Sequence, residues 1–158
     1  MRLFHGSNVA VINPKILKSN RALDFGTGFY LTSDFEQAAK WARLTVLRRG
    51  NGTAVVTAYE LEDYADRLNI IKFDSADSAW LKHIAANRTG KDADCNADII
   101  IGPVANDNTM PVINLYLSGS YSEEEAIKRL LTQKLKDQYT IKTEKALKLL
   151  RTIEVITL

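Results

Sequence analysis

The chain has 158 residues, 46% of them apolar and 25% charged, with a net charge of +2. That length fits one ordinary domain and is enough to bury a core. The near-zero charge excludes a strong positive field that would point to nucleic acid or to an anionic membrane.

"RLFHGS" (2–7) is expected to form a short strand that breaks at Gly6. "GFYLT" (28–32) is a second β-rich stretch. A helix should follow, with Ser33 and Glu36 at capping-box spacing and Phe35, Ala38, Ala39, Ala42 and Val46 recurring on one face. Arg48 and Arg49 fill its last turn and Gly50 ends it. "TAVVTAYEL" (53–61) and "NIIKF" (69–73) have the length and β-branched content of strands. "SADSAWLKHIAANRTG" (75–90) is expected to be helical and closed by Gly90, and "ADIIIGPVA" (97–105) is an apolar run of buried-strand type. A short helix is expected over 111–117. The next is capped by Ser122 with Glu125 and should bury Ala126, Ile127, Leu130 and Leu131. "QYTIKT" (138–143) is a strand, Thr143 caps "EKALKLL", and "TIEVITL" (152–158) closes the chain as a strand.

Strands and helices are mixed without strict βαβ alternation, which favours α+β over a doubly wound parallel sheet. No repeat or linker divides the chain, so one domain over 1–158 is expected. A single cysteine, Cys95, excludes an intramolecular disulfide framework and fits a reducing compartment. There is no signal-peptide pattern and no apolar run near the length of a bilayer span, so no membrane role is expected and cytoplasm is the default. The sequons at Asn51 and Asn87 then read as chance.

Several motifs fail for want of context. "DFG" (24–26) has only twenty-three residues before it, too few for a kinase Gly-rich loop, strand lysine and catalytic loop. "GTGFYL" (26–31) lacks the third glycine of a dinucleotide fingerprint and runs into an aromatic strand. No Walker loop or G-x-S-x-G elbow is present, and His5, His83 and Cys95 lack metal-site spacing, so no metal is expected. What remains is "LFHGS" (3–7) with "DFGTGFYLTSD" (24–34). Gly6, beside His5, lets the backbone approach a ligand, and its N–H and C=O could clamp an amide. Gly26 and Gly28 permit a tight turn that sends Phe29 and Tyr30 to opposite faces of the next strand. One aromatic can enter the core while the other forms a floor for a planar ring. A histidine donor, a bare backbone and an aromatic platform suit a ligand with ribose, amide and heteroaromatic ring, which describes NAD.

"LFHGS", "DFGTGFYLTSDFEQAAKWA", "ADIIIGPVAND" and "QYTIKTEKALKLL", in this order, resemble an uncharacterised bacterial family of the ADP-ribosyltransferase superfamily. The resemblance runs over most of the chain. It implies a split antiparallel or mixed β-sheet core flanked by helices, and NAD as substrate. It makes His5 the histidine that bonds the ribose of the adenosine half. Gly6 becomes the residue whose backbone holds the nicotinamide carboxamide, and Tyr30 the ring that stacks on nicotinamide. Gln138 falls at the position usually held by glutamate. A glutamine cannot act as a carboxylate base, but its amide can orient a ribose hydroxyl or the nucleophile. Ser7, Arg21, Gly28 and Phe29 complete the expected cofactor-binding set, Arg21 because a guanidinium suits phosphate oxygens.

Each residue has a plainer reading. His5 can be a satisfied strand histidine, Tyr30 a half-buried strand aromatic and Gln138 a surface strand residue. Asp24 and Arg21, just before the turn, could contact the pyrophosphate or cap the loop, and the plainer reading makes them solvated loop charges. "GPVANDN" (102–108) can be a functional loop or only a turn. Trp41 and Trp80 read as core or edge packing. The expected function is NAD-dependent mono-ADP-ribosyl transfer to a macromolecule, protein or nucleic acid, in a toxin, antitoxin-paired or phage-defence setting. The alternative is a catalytically weak or inactive NAD-binding or protein-interaction module on the same fold.

Overall fold

The computed structural model describes residues 1–17, 23–64, 66–91 and 96–158. Arg21 and Cys95 lie outside the described residues. Along the chain run β1 (Arg2–Ser7), β2 (Phe29–Leu31), α1 (Phe35–Arg49), β3 (Val55–Leu61), β4 (Ile70–Lys72) and α2 (Ser78–Arg88). They are followed by β5 (Ile99–Pro103), α3 (Met110–Leu117), α4 (Glu123–Leu130), β6 (Asp137–Ile141), α5 (Glu144–Leu147) and β7 (Leu150–Thr157). The class is α+β, and the expected elements fall within a few residues of these bounds. Among the described residues no helix is long and apolar enough to cross a membrane.

The strands form two sheets. One has the order β1-β3-β7 and is antiparallel throughout. The other has the order β2-β6-β5-β4, antiparallel except where β4 pairs parallel with β5 across the α2 crossover. Alternation along the strands decides what each face buries. Leu3, Tyr59 and Leu61 of the first sheet meet Phe29, Leu31, Ile99, Ile101 and Ile141 of the second, and this is the core between the sheets. Ile100 points the other way, onto Trp80, Leu81, Ile84, Ile113, Ala126 and Leu130 of α2, α3 and α4. That explains the unbroken apolar run of β5, a strand covered on both faces. Ala38 and Ala39 of α1 cover Val56 and Phe4 on the outer side of the first sheet.

Small side chains on α1 allow a close approach. A Cβ at Gly6 would lie 1.9 Å from the Ala38 carbonyl oxygen and 2.7 Å from the Ala42 nitrogen. Gly6 is therefore required by helix–strand packing, whatever else its backbone does.

Local details differ from expectation in three places. The N-cap of α1 is Asp34, whose carboxylate accepts the Gln37 N–H at 2.8 Å. Ser33 instead gives its N–H to Asp137 Oδ1 at 2.8 Å and its hydroxyl to Asp137 Oδ2. Leu131 is 54% exposed because α4 ends at Leu130, while Ser122 caps that helix as expected. The anticipated face of α1 holds for Ala38, Ala39 and Ala42, with Thr45 as the next buried position and Val46 only half-buried.

Candidate functional site

The two sheets are joined by a backbone bridge. Phe4 and Thr32 exchange both hydrogen bonds, at 2.8 and 3.0 Å. Were that antiparallel ladder to continue, the next hydrogen-bonded pair would be Gly6 with Tyr30. Among the described residues no such bond forms. The His5 imidazole takes the Tyr30 carbonyl oxygen instead, with Nδ1 at 2.7 Å. The strands therefore split one step past the bridge. Since Phe4 turns its N–H and C=O towards β2, alternation turns those of Gly6 the same way, into the gap.

The gap opens into a cleft of about 380 Å³, within the range of small-molecule sites, about 300–1,000 Å³. His5 and Gly6 of β1, Tyr30 of β2 and Gln138 of β6 line it. Trp41, Leu44, Thr45 and Arg48 of α1 form one wall. Asp24, Arg88 at the end of α2, and Val104 and Ala105 after β5 form the other. Four of the residues singled out in the sequence thus share one cavity.

Each is held in a definite state. Burial lowers the His5 pKa below its ordinary 6.5, outweighing the opposite pull of the Tyr30 carbonyl, and the Arg49 charge lowers it further. A neutral ring whose Nδ1–H donates to Tyr30 offers Nε2 as an acceptor. The ring lies on Phe29, with centroids 4.3 Å apart and planes 30° from parallel. The Tyr30 hydroxyl donates to the Gly26 carbonyl at 2.6 Å and accepts the Phe25 N–H at 3.1 Å. Burial, more than any other cause, pushes this phenol well above its ordinary pKa, so it stays neutral. The hydroxyl is thereby committed to the 24–26 turn, and the ring is what Tyr30 gives the cleft. Gly26 sits in that turn at φ +74°, a conformation glycine adopts without cost.

Gln138 is 3% exposed, so its reading as a surface strand residue is overturned. Its Nε2 faces Asp24 Oδ2 and the Pro103 carbonyl, both at 3.4 Å. Asp24 is 7% exposed and not a solvated loop charge. Its Oδ1 accepts Arg88 Nε at 2.9 Å and Nη2 at 2.5 Å, and its Oδ2 accepts the Ala105 N–H at 3.2 Å. The Asn87 amide holds the Asp24 carbonyl at 3.0 Å.

The rest of the expected cofactor set sits elsewhere. Phe29 is in the core between the sheets, beneath His5 and edge-on to Tyr59, so it supports the site without lining it. Gly28 packs on β6, where a Cβ would meet Thr140 Cγ2 at 2.5 Å, and does not reach the cleft. Ser7 is buried, its hydroxyl 3.4 Å from Asn8 Oδ1, and is absent from the lining. Trp80 is fully buried as expected, with its indole N–H on the Pro103 carbonyl at 2.9 Å. Trp41 differs from the packing role expected of it, being a half-buried cleft residue. Arg48 and Arg88 were not singled out for the site. Trp41, Thr45 and Arg48 recur at helical spacing, a stripe that marks the α1 wall. Nothing local marks Arg88, because its partner lies in a distant turn.

The chain matches, over residues 1–152, the family described as "Protein of unknown function (DUF3990)". The chain belongs to this family. No curated protein and no solved structure matches it.

Proposed function

We propose that this protein transfers ADP-ribose from NAD to a macromolecular acceptor, on an ADP-ribosyltransferase-like split-sheet fold. The observation that carries the reading is the open Gly6 backbone opposite Tyr30, in the same cleft as His5 and Gln138. A free N–H and C=O on one strand edge match a carboxamide, which offers one acceptor and one donor in a plane. The Tyr30 ring, its hydroxyl tied away, gives the attached pyridine a flat surface. The His5 Nε2 acceptor suits a ribose hydroxyl, and the acceptor Oε1 of Gln138 suits another.

Nicotinamide is expelled from a cationic ring as a neutral group, so no acid is needed to help it leave. The sugar passes through an oxocarbenium-like state, as in glycoside hydrolysis. Positioning then contributes more than proton transfer. His5 and Gln138 orient the two riboses, Gly6 fixes the carboxamide, and Trp41 and Leu44 shield the bond from water. One observation favours a second reading, an NAD-binding module without transfer: residue 138 brings a neutral amide where a carboxylate would offset the developing positive charge.

Radiolabelled NAD incubated with the protein and cell lysate tests both. Label carried onto macromolecules, and lost in His5→Ala, is the expected result. Calorimetric NAD binding without label transfer or NAD cleavage selects the module. Neither binding nor cleavage overturns the NAD assignment altogether.

A further inference from the structure

We propose that Asp24 is a positioning residue, one that fixes the Gln138 amide so that its carbonyl oxygen, and not its NH2, faces the ligand. Gln138 lies within reach of two groups, Asp24 Oδ2 and the Pro103 carbonyl, both at 3.4 Å. Both are acceptors. An amide rotated by half a turn would set its own oxygen against two oxygens and lose both bonds. The NH2 therefore turns inwards. Oε1, which takes no hydrogen bond from the described residues, is left for the cleft that Gln138 lines. An oxygen that can only accept selects a donor, and in a sugar-bearing ligand that donor is a hydroxyl. Asp24 can impose this because it is itself immobile. Its Oδ1 is gripped by two Arg88 nitrogens, its Oδ2 by the Ala105 N–H, and its backbone by Asn87 and, through Phe25 and Gly26, by the Tyr30 hydroxyl.

The same geometry explains why a glutamate would not serve at residue 138 in this chain. Its carboxylate would stand against that of Asp24 at the 3.4 Å now spanned by an N–H donor. Like charges so close and so little hydrated repel. The site thus divides its chemistry between two positions, a carboxylate at 24 and an amide at 138.

The division predicts that each position tolerates only its own group. Gln138→Glu sets a carboxylate against that of Asp24 and against the Pro103 carbonyl, and Asp24→Asn, its oxygen claimed by Arg88, turns an NH2 towards the Gln138 NH2 and the Ala105 N–H. The sugar half of this inference rests on the NAD reading, but the orientation of the amide does not. The first measurement is therefore free of ligand: the Gln138 side-chain NH2 resonances of the 15N-labelled protein, assigned by their loss in Gln138→Glu. In the wild type both amide protons are expected to be protected from exchange, and both are expected to shift in Asp24→Asn. Resonances at solvent positions, unmoved by Asp24→Asn, overturn the contact. The second measurement is calorimetry with ADP-ribose, with each variant's melting temperature as a check on folding. Asp24→Asn is expected to weaken binding about tenfold, the worth of one misdirected hydrogen bond. A folded Asp24→Asn that binds ADP-ribose as tightly as the wild type overturns the positioning role. Should the wild type bind neither ADP-ribose nor NAD, the NAD reading and the sugar half fall together, and the amide resonances alone decide the contact.

Discussion

Gly6→Ala tests the closest joint in the molecule. The added methyl would stand 1.9 Å from the Ala38 oxygen and 2.7 Å from the Ala42 nitrogen, where ordinary contact begins at 3.4 Å. Both obstacles are backbone atoms of α1, so no side chain can rotate aside. Either α1 lifts off β1 or the strand bends, and both loosen the packing of Ala38 and Ala39 on Val56. Overpacking costs about 1–3 kcal/mol when side chains can adapt, so about 3 kcal/mol is expected here. For a chain of this length that is a fall of about 6–12 °C in melting temperature. The displaced helix also carries Trp41, Leu44 and Thr45, so the α1 wall moves away from His5. Circular dichroism on heating measures the first effect and NAD calorimetry the second. A variant that melts within about 2 °C of the wild type would refute the packing argument.

Acidification should destabilise the protein through His5. The folded ring has a lowered pKa, so below pH 6.5 the unfolded chain binds the extra proton first, and stability falls as pH drops towards the folded value. Urea unfolding between pH 5 and 7 should show this slope in the wild type and a smaller one in His5→Gln. Arg88→Ala leaves the buried Asp24 carboxylate without its cation. The arginine side chain is 26% exposed and partly screened, so about 2 kcal/mol is expected from urea midpoints at constant slope. Asp34→Ala removes the N-cap of α1 and should cost about 1 kcal/mol by thermal unfolding.

The sequence displayed what depends on neighbours. The unbroken apolar run of "ADIIIGPVA" and the turn-and-strand pattern of "GTGFYL" gave β5 and β2, with one aromatic inside and one in the cleft. Ser122 and Thr143 were readable as caps because their partners lie three residues on. Ser33 had the same spacing, but the carboxylate of Asp137 across the fold claimed it, and Asp34 capped in its place. Arg88, and the burial of Gln138, were hidden for a similar reason. Their surroundings are set by Asp24, which reaches them only once the sheets have closed. Gly6 shows the opposite error of emphasis: the glycine was visible, yet helix packing demands it before any ligand does.

The floor of the cleft joins the first strand of the chain to the sixth. A ribosome-bound chain that has not yet released β6 has neither Gln138 nor the ladder that holds β2 in line. Such a chain cannot display the slot early, however well its first strands and α1 have formed. Any chemistry performed there begins only after β6 has emerged and paired with β2.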